Sequence, residues 1–199
     1  MEIIKSQENK LIFVEEIEES LANAIRRYIN EIPVIGIDEV EIAKNDSPLY
    51  DETLAHRIGL IPLRAEKKFN DKDIIKGKFS AKGEGKVYSK EIKAAGVSVV
   101  YENLPVTYLD KDKELEVVVN IKLGRGSEHA KYSPGFVFYR DINEKEDGDE
   151  ILEYDKLIKS KSGLLINVES FGQLSAKEML QSAIKELKKT LEEVPKNLK

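Results

Sequence analysis

The sequence predicts an α+β fold in which the two chain ends form one discontinuous domain, residues 1–44 and 155–199, and the middle, residues 45–154, forms an inserted β-rich domain. An amphipathic helical pattern occurs near each terminus, and strand-like patterns separated by turn residues fill the middle. The two apolar helical faces are buried most simply if the chain ends meet over a shared sheet. The middle of the chain then becomes an insertion.

The amino-terminal elements are predicted to be two short strands, a helix and a longer strand. Apolar runs at 3–4 and 11–14 flank a polar turn, which is typical of paired strands. A helix is predicted over 17–29, because its apolar side chains recur at spacings of three and four. Pro33 ends it, since proline cannot continue a helix. Residues 34–43 then alternate as a strand buried on both faces at its start.

The middle of the chain is predicted to be rich in strands. A short helix is expected around 54–58, and strand-like runs occur at 97–101, 115–123 and 164–168. The Lys- and Gly-rich segment 67–86 is predicted to be a loop or a loose hairpin.

The last element is predicted to be a helix over 175–194, roughly 30 Å long. Its apolar side chains recur at near-heptad spacing: Leu180, Ile184, Leu187, Leu191 and Val194. This spacing is typical of a helix that packs on another helix, so a partner chain carrying a similar helix is a reasonable inference. The discontinuous domain is therefore predicted to be a dimerisation domain.

Composition excludes several classes of function. The chain has 199 residues and Cys 0, which rules out an iron–sulfur cluster, a Cys-ligated zinc site, a thiol nucleophile and disulfides. No apolar leader opens the sequence, and no window approaches the roughly 18 apolar residues of a membrane helix, so a cytoplasmic location is expected.

Charge is unevenly distributed along a chain whose net charge is -5. Overall repulsion argues against a primary role in binding nucleic acid. Segment 66–93 is nevertheless rich in lysine, and segment 141–155 is strongly acidic. The two interpretations are a basic patch near nucleic acid with an acidic contact loop, or two solvated surface loops, and general charge patterning favours the second.

Candidate catalytic or ligand-binding residues do not form a known set. His56 is a lone histidine beside Arg57, without the further ligands that a metal needs. The glycines at 124 and 126 could shape a phosphate-binding turn, but no Gly-Lys-Ser/Thr follows. Glu128 and His129 could form an acid/base pair, yet no triad is recognisable. An assembly surface therefore explains these residues better than an active site.

Four segments, in the right order, resemble the family of archaeal RNA polymerase D subunits, which is related to bacterial alpha and to the third-largest eukaryotic polymerase subunit. They are LANAIRRYINEIP from Leu21, DSPLYDETLAHRIGLIPL from Asp46, LGRGSEHAKYSP from Leu123 and NVESFGQLSAKEML from Asn167. The resemblance extends over about residues 21–194, with gaps in the Lys-rich segment.

The resemblance implies two sets of contact residues. In that family the terminal helices pack on counterparts in a smaller partner subunit, called L. The residues implied for this interface are Leu21, Ala24, Ile25, Tyr28, Ile29, Leu180, Ile184, Leu187 and Leu191. A second set is implied to face the large subunits: Arg26, Arg27, His56, Arg57, Arg125, Glu128, His129 and Lys131.

The resemblance also implies a non-catalytic assembly role within a nucleotidyltransferase complex. The pair with L would recruit small subunits N and P and receive two large subunits, which hold the catalytic Mg²⁺ for template-directed RNA synthesis. No cofactor, catalytic residue, sequence-specific nucleic-acid contact or membrane contact is expected in this chain. Many family members carry a cysteine-bearing cluster or metal insert where this chain has only 67–86.

Two alternatives remain open at the level of sequence. A stand-alone homodimeric protein-binding module would use the same helices, because periodicity does not distinguish a second copy from a foreign partner. A small hydrolase or transferase would use His129 with Glu128 and would need a deep pocket beside them.

Overall fold

The computed structural model describes residues 1–70, 72–143, 157–159 and 162–197, and the chain divides into two compact units. Unit 1 is Met1–Ile32 with Ser133–Lys199, and unit 2 is Pro33–Tyr132. Each unit has its own sheet and its own hydrophobic core. The mixture of α and β structure predicted from the sequence is confirmed.

The elements follow in chain order. The strands are β1 (Glu2–Ser6), β2 (Lys10–Glu15), β3 (Val34–Asn45), β4 (Leu63–Ala65), β5 (Ile75–Lys82), β6 (Gly85–Tyr88), β7 (Ile92–Ala94), β8 (Val97–Val99), β9 (Pro105–Leu109), β10 (Glu114–Gly124), β11 (Gly135–Asp141) and β12 (Leu164–Ser170). The α-helices are α1 (Glu19–Tyr28), α2 (Asp51–Gly59) and α3 (Ala176–Asn197).

The unit boundaries lie at 32/33 and 132/133, earlier than the 44/45 and 154/155 expected from the sequence. Strand β3 pairs along its length with β10, so its residues belong to unit 2. Strand β11 pairs with β12, so its residues belong to unit 1. Most of the acidic run 141–155, including the expected second boundary, falls outside the described residues.

Unit 1 contains a four-stranded antiparallel sheet in the order β1-β2-β12-β11, with α1 and α3 packed against one face. Helix α1 carries Glu19 in its first turn and Arg26 and Arg27 in its last, which suits the helix dipole. Helix α3 begins with a capping box: Ser175 and Glu178 each accept a hydrogen bond from the other's backbone N–H, at 3.0 and 3.3 Å.

Unit 2 contains a six-stranded sheet in the order β3-β10-β5-β7-β8-β4 and a separate ribbon of β6 and β9. Helix α2 contributes Leu54 and Ile58 to the core, where Phe79 of β5 is also fully buried. Segment 67–86 was predicted to be a loop or a loose hairpin, but half of it belongs to β5 and the start of β6. These two strands pair with other strands and not with each other, so the prediction is wrong there. Strand β5 occupies an interior position, paired with β10 and β7.

Candidate interaction surfaces

The helical face of unit 1 leaves large apolar side chains in contact with solvent. Leu191 is 60% exposed and Val194 is 48% exposed, both in the second half of α3. Leu21 of α1 is 44% exposed. Apolar side chains that recur along one helix face and stay exposed are typical of a surface that a partner covers.

The residues expected at the partner-helix interface divide into three groups by burial. Ile29, Leu180 and Leu187 are buried inside unit 1, so they contribute to its core. Leu21 and Leu191 are exposed. The remaining four are half-buried: Ala24, Ile25, Tyr28 and Ile184. The helical pattern therefore combines core positions and surface positions in one stripe.

An apolar cavity of about 200 Å³ lies within unit 1, between the sheet and both helices. Its walls include Leu21 and Ile25 of α1, Ile184 of α3 and Tyr139 of β11. A cavity of this size and lining can accept an apolar side chain from outside the unit. The exposed Leu21 forms part of its wall.

The paired arginines at the end of α1 have different surroundings. Arg26 donates to the side chain of Asn23 one turn earlier, at 3.0 Å from Nη2 to Oδ1. Arg27 is exposed and has no polar partner within the described residues. Arg27 is thus the guanidinium of unit 1 that is better available for an external carboxylate.

Three phenylalanines form a second exposed apolar patch on unit 1, the Phe patch, that the sequence analysis missed. The rings of Phe136 and Phe138 stack at 6.2 Å, and Phe171 lies 6.0 Å from Phe136. All three are exposed. Phe136 and Phe138 alternate along β11 with Val137, which lines the cavity, so these two rings lie on the opposite sheet face. Phe171 directly follows β12 and joins the patch through its contact with Phe136. The period of two in Phe136–Tyr139 was the signal in the sequence.

Asp38 of β3 organises the polar end of unit 2. Lys122 Nζ lies 2.9 Å from Asp38 Oδ2, and Tyr132 Oη donates to Oδ1 at 2.9 Å. Lys131 Nζ donates to the Asp38 carbonyl oxygen at 2.8 Å and lies 3.3 Å from Oδ1. These bonds tie the segment after β10 to strand β3, and the sequence analysis identified neither Asp38 nor Tyr132.

The electrostatics of this cluster favour a charged Asp38. Burial acts to raise the pKa of Asp38, but hydrogen bonds from Lys122, Tyr132 and Lys131 outweigh it and hold the pKa below its ordinary value. The bond to Asp38 raises the pKa of Lys122, against the effect of burial. Burial, and then the bond to Asp38, raises the pKa of the Tyr132 phenol. Asp38 is therefore a carboxylate at neutral pH, bound by Lys122, Lys131 and Tyr132. We call these four residues the polar lock.

Two glycines make room for the ring of Tyr132. A Cβ at Gly124 would approach three ring atoms to 2.6 Å, and a Cβ at Gly36 would approach the ring to 2.8 Å. Gly124 therefore serves close packing of an aromatic ring on the sheet backbone. A phosphate-binding turn is not needed to explain it.

A hollow of about 330 Å³ in unit 2 is lined by several of the residues that the resemblance implied would face the large subunits. His56, His129 and Lys131 line it, along with Asp38 and Glu39. His129 Nδ1 accepts the backbone N–H of Lys131 at 3.1 Å, which fixes the ring in the turn. His56 and His129, far apart in sequence, thus share one surface depression.

Two of the expected contact residues are engaged in bonds within unit 2. Arg57 donates from Nε to the carbonyl of Val106 at 2.7 Å and from Nη2 to that of Pro105 at 2.6 Å, which ties α2 to β9. Glu128 accepts the backbone N–H of Arg125 at 3.4 Å, a weak bond within its own turn. Arg57 is thus better explained as an internal clamp, and Glu128 keeps carboxylate capacity for another partner.

Within the described residues, no group of three or more His, Asp or Glu side chains is arranged to hold a metal ion. None of the helices in the described part of the chain combines the length and hydrophobicity that a membrane span needs.

Comparison with known proteins gives the class first. A family model described as the RNA polymerase Rpb3/RpoA insert domain matches residues 40–137. The match includes most of unit 2, with β10, the Asp38 partners and α2. The class is therefore that of RNA polymerase subunits related to Rpb3 and RpoA.

Relatives identify the particular branch. The DNA-directed RNA polymerase subunit Rpo3 of Pyrococcus horikoshii is 35% identical over 177 residues, covering 82% of this chain and 68% of the relative. The subunit of the same name from Methanocaldococcus jannaschii is 34% identical over 174 residues, covering 87% and 82%. The chain belongs to the Rpo3 family of DNA-directed RNA polymerase subunits, and the resemblance inferred from its four sequence segments is confirmed.

Proposed function

We propose that this chain is a non-catalytic assembly subunit of an archaeal DNA-directed RNA polymerase that pairs with subunit L through the helical face of unit 1. The observation that carries the proposal is the exposure of Leu191, Val194 and Leu21 on the two helices, together with an apolar cavity that Leu21 lines. Permanent subunit interfaces are large and apolar and resemble a divided core. The free chain is expected to aggregate or to self-associate, because this face then meets water.

The proposal extends to the other surfaces. Phe136 and Phe138 of the Phe patch lie on the sheet face opposite the helices, which supports a second partner for unit 1, such as subunit N or P. The hollow with His56 and His129 supports contact with a large subunit, in which Lys131 and Glu128 position the loop or bind directly. Arg27 and Arg125 would add guanidinium contacts.

The magnesium ions for RNA synthesis would be held by the large subunits. This chain would contribute shape and binding energy alone. The unit 1 surfaces carry apolar side chains, whereas polymerisation of nucleotides requires carboxylate ligands for metal ions.

A tagged pull-down of the full chain from its native cytoplasm tests the proposal. Recovery of a small partner together with two very large chains, by mass spectrometry and light scattering, is the expected result. Recovery of a homodimer alone would contradict it and would support a stand-alone binding module.

A charge substitution then tests the interface. Leu191→Glu is expected to abolish recovery of the small partner, because an unpaired charge buried in an interface costs several kcal/mol. Lys189→Glu places the same side chain on the opposite side of α3 and is the matched control. Equal recovery with both variants, at unchanged melting temperature, would contradict the helix assignment. Leu187 is less suitable because it is buried in the unit's own core.

A further inference from the structure

The outward face of the six-stranded sheet in unit 2 has a basic half that the assembly role does not explain. Lys78 of β5 lies directly opposite Lys93 of β7, and both are exposed. Lys76, two residues before Lys78 on the same strand, faces the same side. Across β8, Arg64 of β4 pairs with Ser98, which continues the same row.

The geometry makes this a compact patch of positive charge. Adjacent strands lie about 4.8 Å apart, so the row from Lys78 to Arg64 spans roughly 14 Å, and Lys76 and Lys78 are separated by roughly 7 Å along β5. The strand pairing places no carboxylate within this row, since Ser98 is its remaining member. We call Arg64, Lys76, Lys78 and Lys93 the cationic face.

No ion pair involves Lys76, Lys78 or Lys93 within the described residues. On the other half of the same sheet, by contrast, Lys44 and Lys82 both bind Glu114, and Lys122 binds Asp38. Like charges directly opposite on neighbouring strands destabilise a sheet. An anion from outside would remove that repulsion.

We infer that the cationic face binds the phosphate backbone of double-stranded DNA without reading its sequence. The positions of this face, which are Arg64, Lys76, Lys78, Lys93 and Ser98, carry no aromatic ring on which the bases of a single strand could stack. Lysine is depleted in the cores of protein–protein interfaces, so three exposed lysines do not favour a protein partner. Several cations held at fixed positions on one sheet can contact several phosphates of a duplex at once.

The choice of DNA over duplex RNA rests on the proposed function, since a DNA-directed polymerase keeps DNA near its subunits. The net charge of -5 weakens long-range attraction to DNA, but counterion release depends on the local cations that meet phosphates. Three to four such contacts predict roughly a 40- to 150-fold loss of affinity between about 50 and 200 mM salt.

The test is fluorescence anisotropy of a short labelled DNA duplex of mixed sequence, titrated with the full chain at several salt concentrations. A triple variant, Lys76→Gln with Lys78→Gln and Lys93→Gln, is expected to flatten the slope of log K against log salt by about 3. The matched control carries Lys185→Gln, Lys188→Gln and Lys189→Gln on α3, with the same loss of charge at exposed positions.

Three outcomes would overturn the inference. The two triple variants could lose affinity equally, or single-stranded DNA or poly-L-glutamate could compete as well as the duplex at equal charge. Loss of the large subunits from a pull-down of the cationic-face variant would instead make this face a subunit contact. The proposed function is tested separately, because it fails if the wild-type chain recovers no polymerase subunits.

Discussion

The candidate binding surface of unit 1 is apolar and exposed, whereas that of unit 2 is polar and held by internal hydrogen bonds. Unit 1 exposes Leu191, Val194 and the Phe patch. In unit 2, three bonds from Lys131 and Tyr132 to Asp38 hold the polar loop, residues 125–132, and Lys122 of β10 also binds Asp38. The first surface gains free energy only when another chain covers it. The second is already ordered before any partner arrives, so little conformational entropy remains to be lost on binding. The chain thus combines an exposed apolar surface in unit 1 with a preorganised polar surface in unit 2.

The largest expected effect is on the free energy of unfolding of unit 2, and it tests whether the stability of this unit depends on its own hydrophobic core. Phe79→Ala is expected to lower the free energy of unfolding of unit 2 by about 3–5 kcal/mol, because it empties a fully buried ring site. Leu191→Ala, in unit 1, should change the stability of the free chain by less than about 0.5 kcal/mol. Hydrogen exchange during denaturant titration reports on each unit separately. A similar loss in both variants would remove the contrast between the units.

A second prediction concerns the packing of the preorganised loop. Gly124→Ala is expected to destabilise unit 2 by about 1–3 kcal/mol, because its Cβ would meet the Tyr132 ring at 2.6 Å. Gly59→Ala is the control, since nothing lies within 4 Å of a Cβ there. The control should be neutral or slightly stabilising in thermal unfolding. Equal effects would show that the ring yields easily.

The hydroxyl of Tyr132 gives a third, smaller effect. Tyr132→Phe removes one hydrogen bond to Asp38 and is expected to cost about 1 kcal/mol. Because the phenol pKa is raised in the folded chain, wild type should also lose stability as the pH rises above about 10, and the variant should lose less. Denaturant titrations at neutral and high pH measure both. A variant as stable as wild type at neutral pH would contradict the polar lock.

The pH dependence of Asp38 tests the same polar lock from the acid side. The folded pKa lies below the ordinary value of 3.8, so the folded state binds fewer protons than the unfolded state in that range. The stabilisation is therefore present above about pH 4 and is lost as the pH falls through the folded pKa. Wild type should exceed Asp38→Asn in stability at pH 6, and the difference should shrink toward pH 2. A constant difference would exclude the carboxylate charge as its source.

The smallest expected effect lies on the cationic face. Lys78→Gln should raise the melting temperature by roughly 1 to 2 °C at low salt, because it removes the repulsion with Lys93. Lys82→Gln, on the same strand, should lower it slightly through loss of the ion pair with Glu114. Both differences should fade at high salt. Lowered stability in both variants would show that Lys78 has a favourable partner.

The helices were the most predictable part of the fold. The apolar stripes around Ile25 and Leu187 gave both terminal helices within a few residues, because a period near 3.6 depends on local sequence alone. The same stripes did not separate core from surface. Leu187 and Leu191 belong to one stripe, yet the first is buried and the second exposed, which depends on where the neighbouring sheet ends.

Strand β5 was missed because lysine and glycine dominate its first half. The alternation of Lys76, Lys78 and Lys82 with Gly77 and Phe79 was present, but glycine and lysine are both uncommon in strands. What stabilises β5 is pairing on both sides. That information lies in segments far away in the sequence.

The polar lock could not be predicted for a similar reason. Asp38 lies in a strand that reads as simple alternation, while its partners Lys131 and Tyr132 follow more than ninety positions later. Arg57 likewise binds the carbonyl groups of Pro105 and Val106, which follow 48 and 49 positions later in the sequence. Spacing along the chain carries no trace of such pairs.

The pairing of β2 with β12 determines when unit 1 can fold during synthesis on the ribosome. Leu11 lies opposite Val168, so the sheet of unit 1 can close only after nearly the whole chain has emerged. Unit 2 draws all its strands from one continuous stretch and can fold earlier. Long loops close slowly, so β1 and β2 can pair with each other early, but the other edge of β2 stays open until β12 arrives. The exposed apolar helical face of unit 1 is thus completed last. This order shortens the time during which that face is exposed to water before a partner binds.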